Sequence, residues 1–342
     1  VRSRLISLVL ALVLVLVSCA LPHRQPPTPI ATATARSTPA PIPTSTPLSP
    51  LTILVIPADL PQEESALYQK TVYDLAYAAG MRFQVLNTLT PLDLELAGPA
   101  LRVVIVFPPD PGLADLTARA PQAQFLAVGI PDLAPAANLT VIGAMNRPVE
   151  QQAFLAGYIA AMLSPDYRTG ILTLADDPQG LAAETAFMNG RTFYCGLCLA
   201  SFPPWYDYPL HVEIPADTPE DQYPAYARAF HNYQVEAVYI YPPLATIDVL
   251  ETLAEYQIKI IGESLTLEDI RDQWVVSIQP DLLAAVRQVF PELAAGQGGR
   301  TVAIPLFLND INEALLGEGK LRLVQEVLND LQAGYIDTGV HR

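Results

Sequence analysis

Leu51-Thr52-Ile53-Leu54-Val55-Ile56 is an uncharged, almost wholly apolar run that stops at Pro57. A strand with one face in water alternates polar and apolar residues; this one does not. It reads as a strand buried on both faces, as occurs when helices cover both sides of a parallel sheet. Its neighbours agree. Residues 63–79 read as a helix stopped by Gly80, and residues 83–86 read as the next short strand.

The alternation runs on through the chain. Strands are expected at 101–107, stopped by Pro108-Pro109, and at 124–128 and 140–144, with a helix at 111–119. Residues 150–163 form a helix with Phe154, Ile159 and Leu163 on one side; small residues such as Ala153 and Gly157 allow close packing. Further strands fall at 170–174, 210–214, 237–241, 258–261 and 275–278. Further helices fall at 178–191, 219–233, 246–256, 280–293 and 320–333. This is an α/β chain with parallel sheets. Two successive units of similar size predict two lobes, 51–145 and 146–262, with 263–342 shared between them through hinge crossovers. Ligands of such sheets sit beyond the carboxyl ends of the strands, and two facing lobes make a clamshell that closes by a hinge.

Upstream of Leu51 the composition changes. Residues 20–50 hold nine Pro, six Thr and three Ser and no Asp or Glu, which predicts an extended, unpacked spacer near polyproline II. Before it, Arg2 and Arg4 precede an apolar stretch from Leu5 to Val17 that is too short to span a bilayer. Leu16-Val17-Ser18-Cys19 closes that stretch and resembles a bacterial lipoprotein signal, which implies lipidation of Cys19. The alternative is an ordinary signal peptide or membrane anchor. Either way the body is expected outside the cytoplasm; with Cys19 lipidated, it is expected to be tethered to a bacterial cell membrane. Val1, where Met is expected, points to an alternative start codon.

Composition excludes several functions. The formal net charge is −16 over 342 residues. Without Arg2 and Arg4 there are 17 basic against 35 acidic residues, a net charge of −18. Such a surface repels phosphate backbones, so no nucleic-acid partner is expected. No His, Cys and Glu cluster has zinc spacing, and neither a nucleophile elbow nor a phosphate loop occurs. No metal, cofactor or enzymatic activity is expected. Cys195 and Cys198 form Cys-Gly-Leu-Cys. In an oxidising compartment this reads as a local disulfide. The competing reading, a thioredoxin-like redox pair, requires the start of a helix that follows a strand.

A family resemblance lies in Ala120-Pro121-Gln122-Ala123-Gln124-Phe125 through Asn138, followed by the helix containing Phe154-Leu155-Ala156-Gly157. Thr169-Gly170-Ile171-Leu172, the stretch 237–262, Val275-Val276-Ser277-Ile278 and Leu331-Gln332-Ala333-Gly334-Tyr335-Ile336 continue it. Together these resemble the basic membrane protein family, purine-nucleoside-receptor-like lipoproteins. The resemblance implies a two-lobed type I periplasmic-binding-protein fold, a receptor feeding an ABC importer, and a final strand after Gly334. The ligand motifs depart from the family's pattern. Tyr68 stands near the place of a base-stacking Phe, Gly129 replaces an Asp, Glu263 or Ser264 stands near a carboxylate, and Gln279 replaces a cation. These departures argue against a nucleoside while leaving the fold untouched.

The candidate ligand residues are Asp59, Tyr68, Phe107, Asp110, Asp176, Trp205, Tyr241 and Glu263. Aromatic platforms stack on sugars and bases, or the same rings pack against a sheet edge. Asp176-Asp177 either binds a cation or sugar hydroxyl or caps the next helix. The expected function is a monomeric, lipid-anchored solute receptor that binds a small polar nucleoside- or sugar-like ligand between the lobes and serves an ABC permease. The alternative is the same scaffold acting as a sensor or surface-interaction lipoprotein without transport.

Overall fold

The computed structural model describes residues 48–143 and 147–340. The signal stretch, Cys19 and all of the spacer before Leu48 lie outside the described residues.

The chain proceeds through β1 (Leu51–Val55), α1 (Gln62–Ala78), β2 (Arg82–Leu86), α2 (Pro91–Ala97), β3 (Leu101–Val106), α3 (Leu113–Arg119), β4 (Gln124–Val128) and β5 (Leu139–Ile142). It continues through α4 (Arg147–Leu163), β6 (Thr169–Leu174), α5 (Pro178–Cys195), β7 (Leu210–Ile214), α6 (Tyr223–Asn232), β8 (Ala237–Ile240), α7 (Ile247–Glu255), β9 (Lys259–Gly262) and β10 (Trp274–Pro280). It closes with α8 (Leu282–Ala294), β11 (Thr301–Val302), β12 (Leu306–Asn309) and α9 (Glu318–Ala333).

These strands build two six-stranded sheets, ordered β11-β5-β4-β3-β1-β2 and β12-β10-β9-β8-β6-β7. Every pairing is parallel except β10 with β12. Leu51 to Val55 are buried throughout, as a strand covered on both faces requires. Leu54, Val103, Ile105 and Leu126 face α1 and α8. Ile53, Val104 and Phe125 face the other way, onto Leu94 of α2 and Leu113 and Leu116 of α3. In the second sheet, Tyr239, Ile261 and Val276 pack under α4, α5 and α9, whereas Val238, Ile240 and Ile260 pack against α6 and α7. Each lobe is therefore a helix–sheet–helix sandwich with its own double core.

Three elements differ from the sequence reading. Helix α2 was not expected; Thr90 and Asp93 form a capping box that starts this seven-residue helix. Strands β11 and β12 were not expected either, since two and four residues are too short to show a period. No strand follows Gly334 in the described residues.

The crossovers decide how the lobes face. From the carboxyl end of β5 the chain enters α4 of the other lobe within five residues, and from the end of β10 it enters α8 of the first lobe within two. Both helices run back along their sheets, so their first turns lie at the carboxyl edges. A third crossover takes β11 into β12, which pairs Leu306 with Pro280 at the end of β10. The crossovers run together: the Asp281 N–H donates to the Pro305 carbonyl at 2.8 Å, and Ile304 packs on Gly143. The carboxyl edges of the two sheets thus oppose each other, with three crossovers joining the lobes.

Candidate functional site

The loops that follow the carboxyl strand ends supply the candidate site. In the first lobe, Asp59 follows β1, Asn87 and Thr88 follow β2, and Phe107 and Pro109 follow β3; together they line a cavity of about 480 Å³. Asp59 is exposed at its mouth. Phe107 is buried and stacks on Tyr68 with ring centroids 4.2 Å apart and planes 16° from parallel. The Tyr68 hydroxyl donates to the Glu64 carboxylate one turn back on α1, and burial, then that bond, pushes its pKa up. The phenol therefore stays neutral.

The second lobe is more polar. Side chains alternate along β8, so Tyr239 and Tyr241 both point toward α4 and α5. Glu263, just past β9, is on the same face. Gln152, almost fully buried in the second turn of α4, donates to the Glu263 carboxylate at 3.1 Å and to the Ile278 carbonyl at 2.8 Å. Burial raises the Tyr241 pKa, and a hydrogen bond to Asp177 with that residue's charge raises it further. Tyr239 is wholly buried, and burial, with the nearby Glu263 charge, also drives its pKa up. Its hydroxyl meets no hydrogen-bond partner among the described residues.

The structure sorts the sequence candidates. Glu263, Tyr241 and Asp176 collect at the carboxyl edge of the second sheet; Asp59 and Phe107 collect at that of the first. Asp176 is exposed and holds a left-handed backbone at φ 59°. Its neighbour Asp177 caps α5, accepting from the Gln179 and Gly180 N–H groups. Asp110 accepts from the N–H groups of Gly112 and Leu113 at 3.0 and 2.9 Å, so its carboxylate is held by the turn that leads into α3. Tyr68 and Phe107 cover each other's faces, so neither offers an open platform. Trp205 does not join them. Its loop leads into Leu210, the amino end of β7, which places it at the edge opposite the cleft.

Gln152, Asn87 and Thr88 were missed. Gln152 was legible: it shares a helical stripe with Ala156, Ile159 and Leu163, and a polar residue on a buried stripe needs a buried partner. Asn87 and Thr88 are ordinary loop residues by sequence, and only the fold brings them beside Phe107.

Cys195 and Cys198 are disulfide-bonded. They sit at the carboxyl end of α5, whereas a redox pair uses the amino end, whose dipole favours a thiolate. Among the described residues no group of His, Cys, Asp and Glu is arranged to hold a metal ion. No described helix is long and apolar enough to cross a membrane.

The structure superposes on an ABC transporter solute-binding protein from Conexibacter woesei with a TM-score of 0.56 and 15% identity, over 85% of this chain and 98% of that one. The fold is that of the type I periplasmic binding proteins. A transcriptional activator of the comK gene from Bacillus halodurans shares it, with a TM-score of 0.53 and 13% identity over 85% of this chain and 99% of that one. No family model and no curated protein sequence matches the chain. At these identities the likeness is one of fold, and the ligand must be argued from the residues.

Proposed function

We propose that this chain is the solute receptor of an ABC importer, tethered through Cys19 to the outer face of a bacterial cell membrane. It would bind one small polar ligand between its lobes. The observation that carries this reading is the opposition of two carboxyl sheet edges across three crossovers, which is the geometry of a closing clamp. The receptor needs no catalytic group, and it presents the closed form to a permease.

The charges of the site narrow the ligand. Asp59, Asp176, Asp177 and Glu263 follow carboxyl strand ends, and the loops 56–61, 87–90, 107–112, 175–177, 241–246 and 263–266 contain no Lys or Arg. Arg147, which opens α4 at this edge, is outnumbered by those carboxylates, so a phosphorylated or carboxylate solute is disfavoured. A neutral polyhydroxylated solute or an organic cation fits carboxylates, Asn87, Thr88 and tyrosines. The test is a thermal-shift screen with neutral sugars, polyols, nucleosides, amino acids and polyamines. A ligand at 100 times its Kd adds about 2.7 kcal/mol of stability. Glu263→Gln should abolish most of that gain. Stabilisation by phosphorylated solutes alone would overturn the ligand class.

A sensor or surface-interaction role without transport is the second reading. What favours it is the mutual stacking of Tyr68 and Phe107, the turn hydrogen bonds of Asp110 and the cap made by Asp177, which occupy groups a receptor would offer its ligand. A flat screen with a folded protein would support it.

A further inference from the structure

The loop 196–209 at the far edge of the second lobe is unlike the rest of the surface. Leu197, Leu199, Phe202 and Trp205 expose 84, 72, 68 and 72% of their surface. From Thr192 to Pro209 the sequence has one charged residue, Asp207, and no cation.

A slack loop would fold such side chains inward. This one is fastened by its backbone. The Cys195–Cys198 disulfide closes its first turn, and the Arg191 guanidinium donates to the Cys198 carbonyl at 2.5 Å. Farther along, the Ser201 N–H donates to Asp166 at 2.5 Å, and Arg168 donates to the carbonyls of Phe202 and Pro203 at 3.1 and 3.2 Å. Tyr208 donates to the Tyr233 carbonyl at 2.6 Å. The polar backbone is turned to the protein, and the apolar side chains are left outside.

We propose that this loop seats the body on the bilayer, its apolar residues entering the interfacial region of zwitterionic lipid. Trp, Tyr, Leu and Phe without cations suit the boundary between headgroups and acyl chains. The charge of the chain, −18 without Arg2 and Arg4, repels anionic lipid, so the attraction is apolar rather than electrostatic. The chain outside the described residues points to the same occupant. The Pro-rich spacer has 31 residues by sequence, three of them described, and the extended form its composition predicts would reach about 95 Å at ~3.1 Å per residue. A folded body of this size has a radius of gyration of about 19 Å, so such a tether would let any face meet the membrane. The loop lies opposite the cleft, so seating leaves the ligand site open. The inference rests on the tether reading for the nearness of the membrane, but the loop's own affinity for lipid does not.

Residues from Leu48 onward form one compact unit holding both sheets and all four cores, so the body can be tested without its tether. Of its two tryptophans, Trp274 is fully buried, and Trp205 alone reports on the loop. Phosphatidylcholine vesicles should shift the emission to the blue, and brominated lipid should quench it. Leu197→Asp, and separately Leu199→Asp, should weaken vesicle affinity at least tenfold with Tm unchanged. The inference is overturned by the absence of a shift, by a shift that survives both substitutions, or by one that appears on concentrating the protein without lipid, which would assign the loop to a second copy. Radioactive fatty-acid labelling of the full chain tests the tether apart from this. Labelling without vesicle binding sinks the loop and spares the tether; the reverse spares the loop.

Discussion

His211 shows how a single side chain reports its surroundings. It is on β7, its Nδ1 faces the Glu184 carboxylate of α5, and burial holds its pKa below the ordinary histidine value of 6.5. At neutral pH the ring is uncharged, and its contact with Glu184 is a hydrogen bond donated by Nδ1–H. Its Nε2 meets no partner among the described residues. The unfolded chain accepts a proton near pH 6.5 while the folded chain resists it. Stability is therefore lost as pH falls below that value. Urea midpoints measured at about pH 7.5 and pH 5.5 should differ less in His211→Gln than in the parent protein. An unchanged difference would mean that His211 does not set the acid sensitivity over this range.

Helices α4 and α5 show how an element is fixed by what it lacks. They cross at Gly157 and Gly190, and a Cβ at either position would land on the backbone carbonyl of the other helix, Phe187 or Phe154. No rotamer change relieves a clash with backbone, so the helices would have to separate. Their shared apolar face, with Phe154, Ile159, Ala183 and Phe187, would open with them. Gly190→Ala should therefore cost about 3 kcal/mol, the upper end for overpacking, even though Ala is the better helix former. Chemical denaturation measures it, and a neutral or stabilising result would show that the helices can slide. This crossing sits under β8 and β9 and so sets the position of Tyr241 and Glu263.

Across the whole molecule the proposed receptor reading turns on the three crossovers. Two sandwiches with separate cores are joined by short segments near Gly143, Asp281 and Ile304, so rotation about them disturbs few packed side chains. A ligand that bridges Asp59 of one lobe and Glu263 of the other would draw the edges together. Small-angle scattering of the body should show a smaller radius of gyration with a saturating ligand from the thermal screen. The same ligand should leave Glu263→Gln in the open form at equal concentration. A ligand that stabilises the protein without contraction would place its site in one lobe alone, such as the cavity beside Phe107.

Leu51 to Ile56, the helix with Phe154-Leu155-Ala156-Gly157 and the strand at 237–241 carried the architecture in their own composition. Burial on both faces demands unbroken apolar runs, and close helix contact demands glycine and alanine, so local sequence determined an α/β chain of parallel strands. The disulfide spacing and the acidic, cation-poor loops were legible on the same terms. The tertiary structure alone decided which side chains meet. Trp205 and Tyr241 look alike as aromatics in Pro-rich loops, yet one lies before a strand and the other after it, and only strand direction in the folded sheet separates far edge from cleft. Tyr68 and Phe107 are 39 residues apart, and nothing local says that their rings will cover each other. Gln152 and Glu263 are brought together by a helix that crosses a sheet. Sequence fixes the period and burial of each segment because those depend on neighbours along the chain. The site depends on neighbours in space, and these exist only once the crossovers have set the two carboxyl edges face to face.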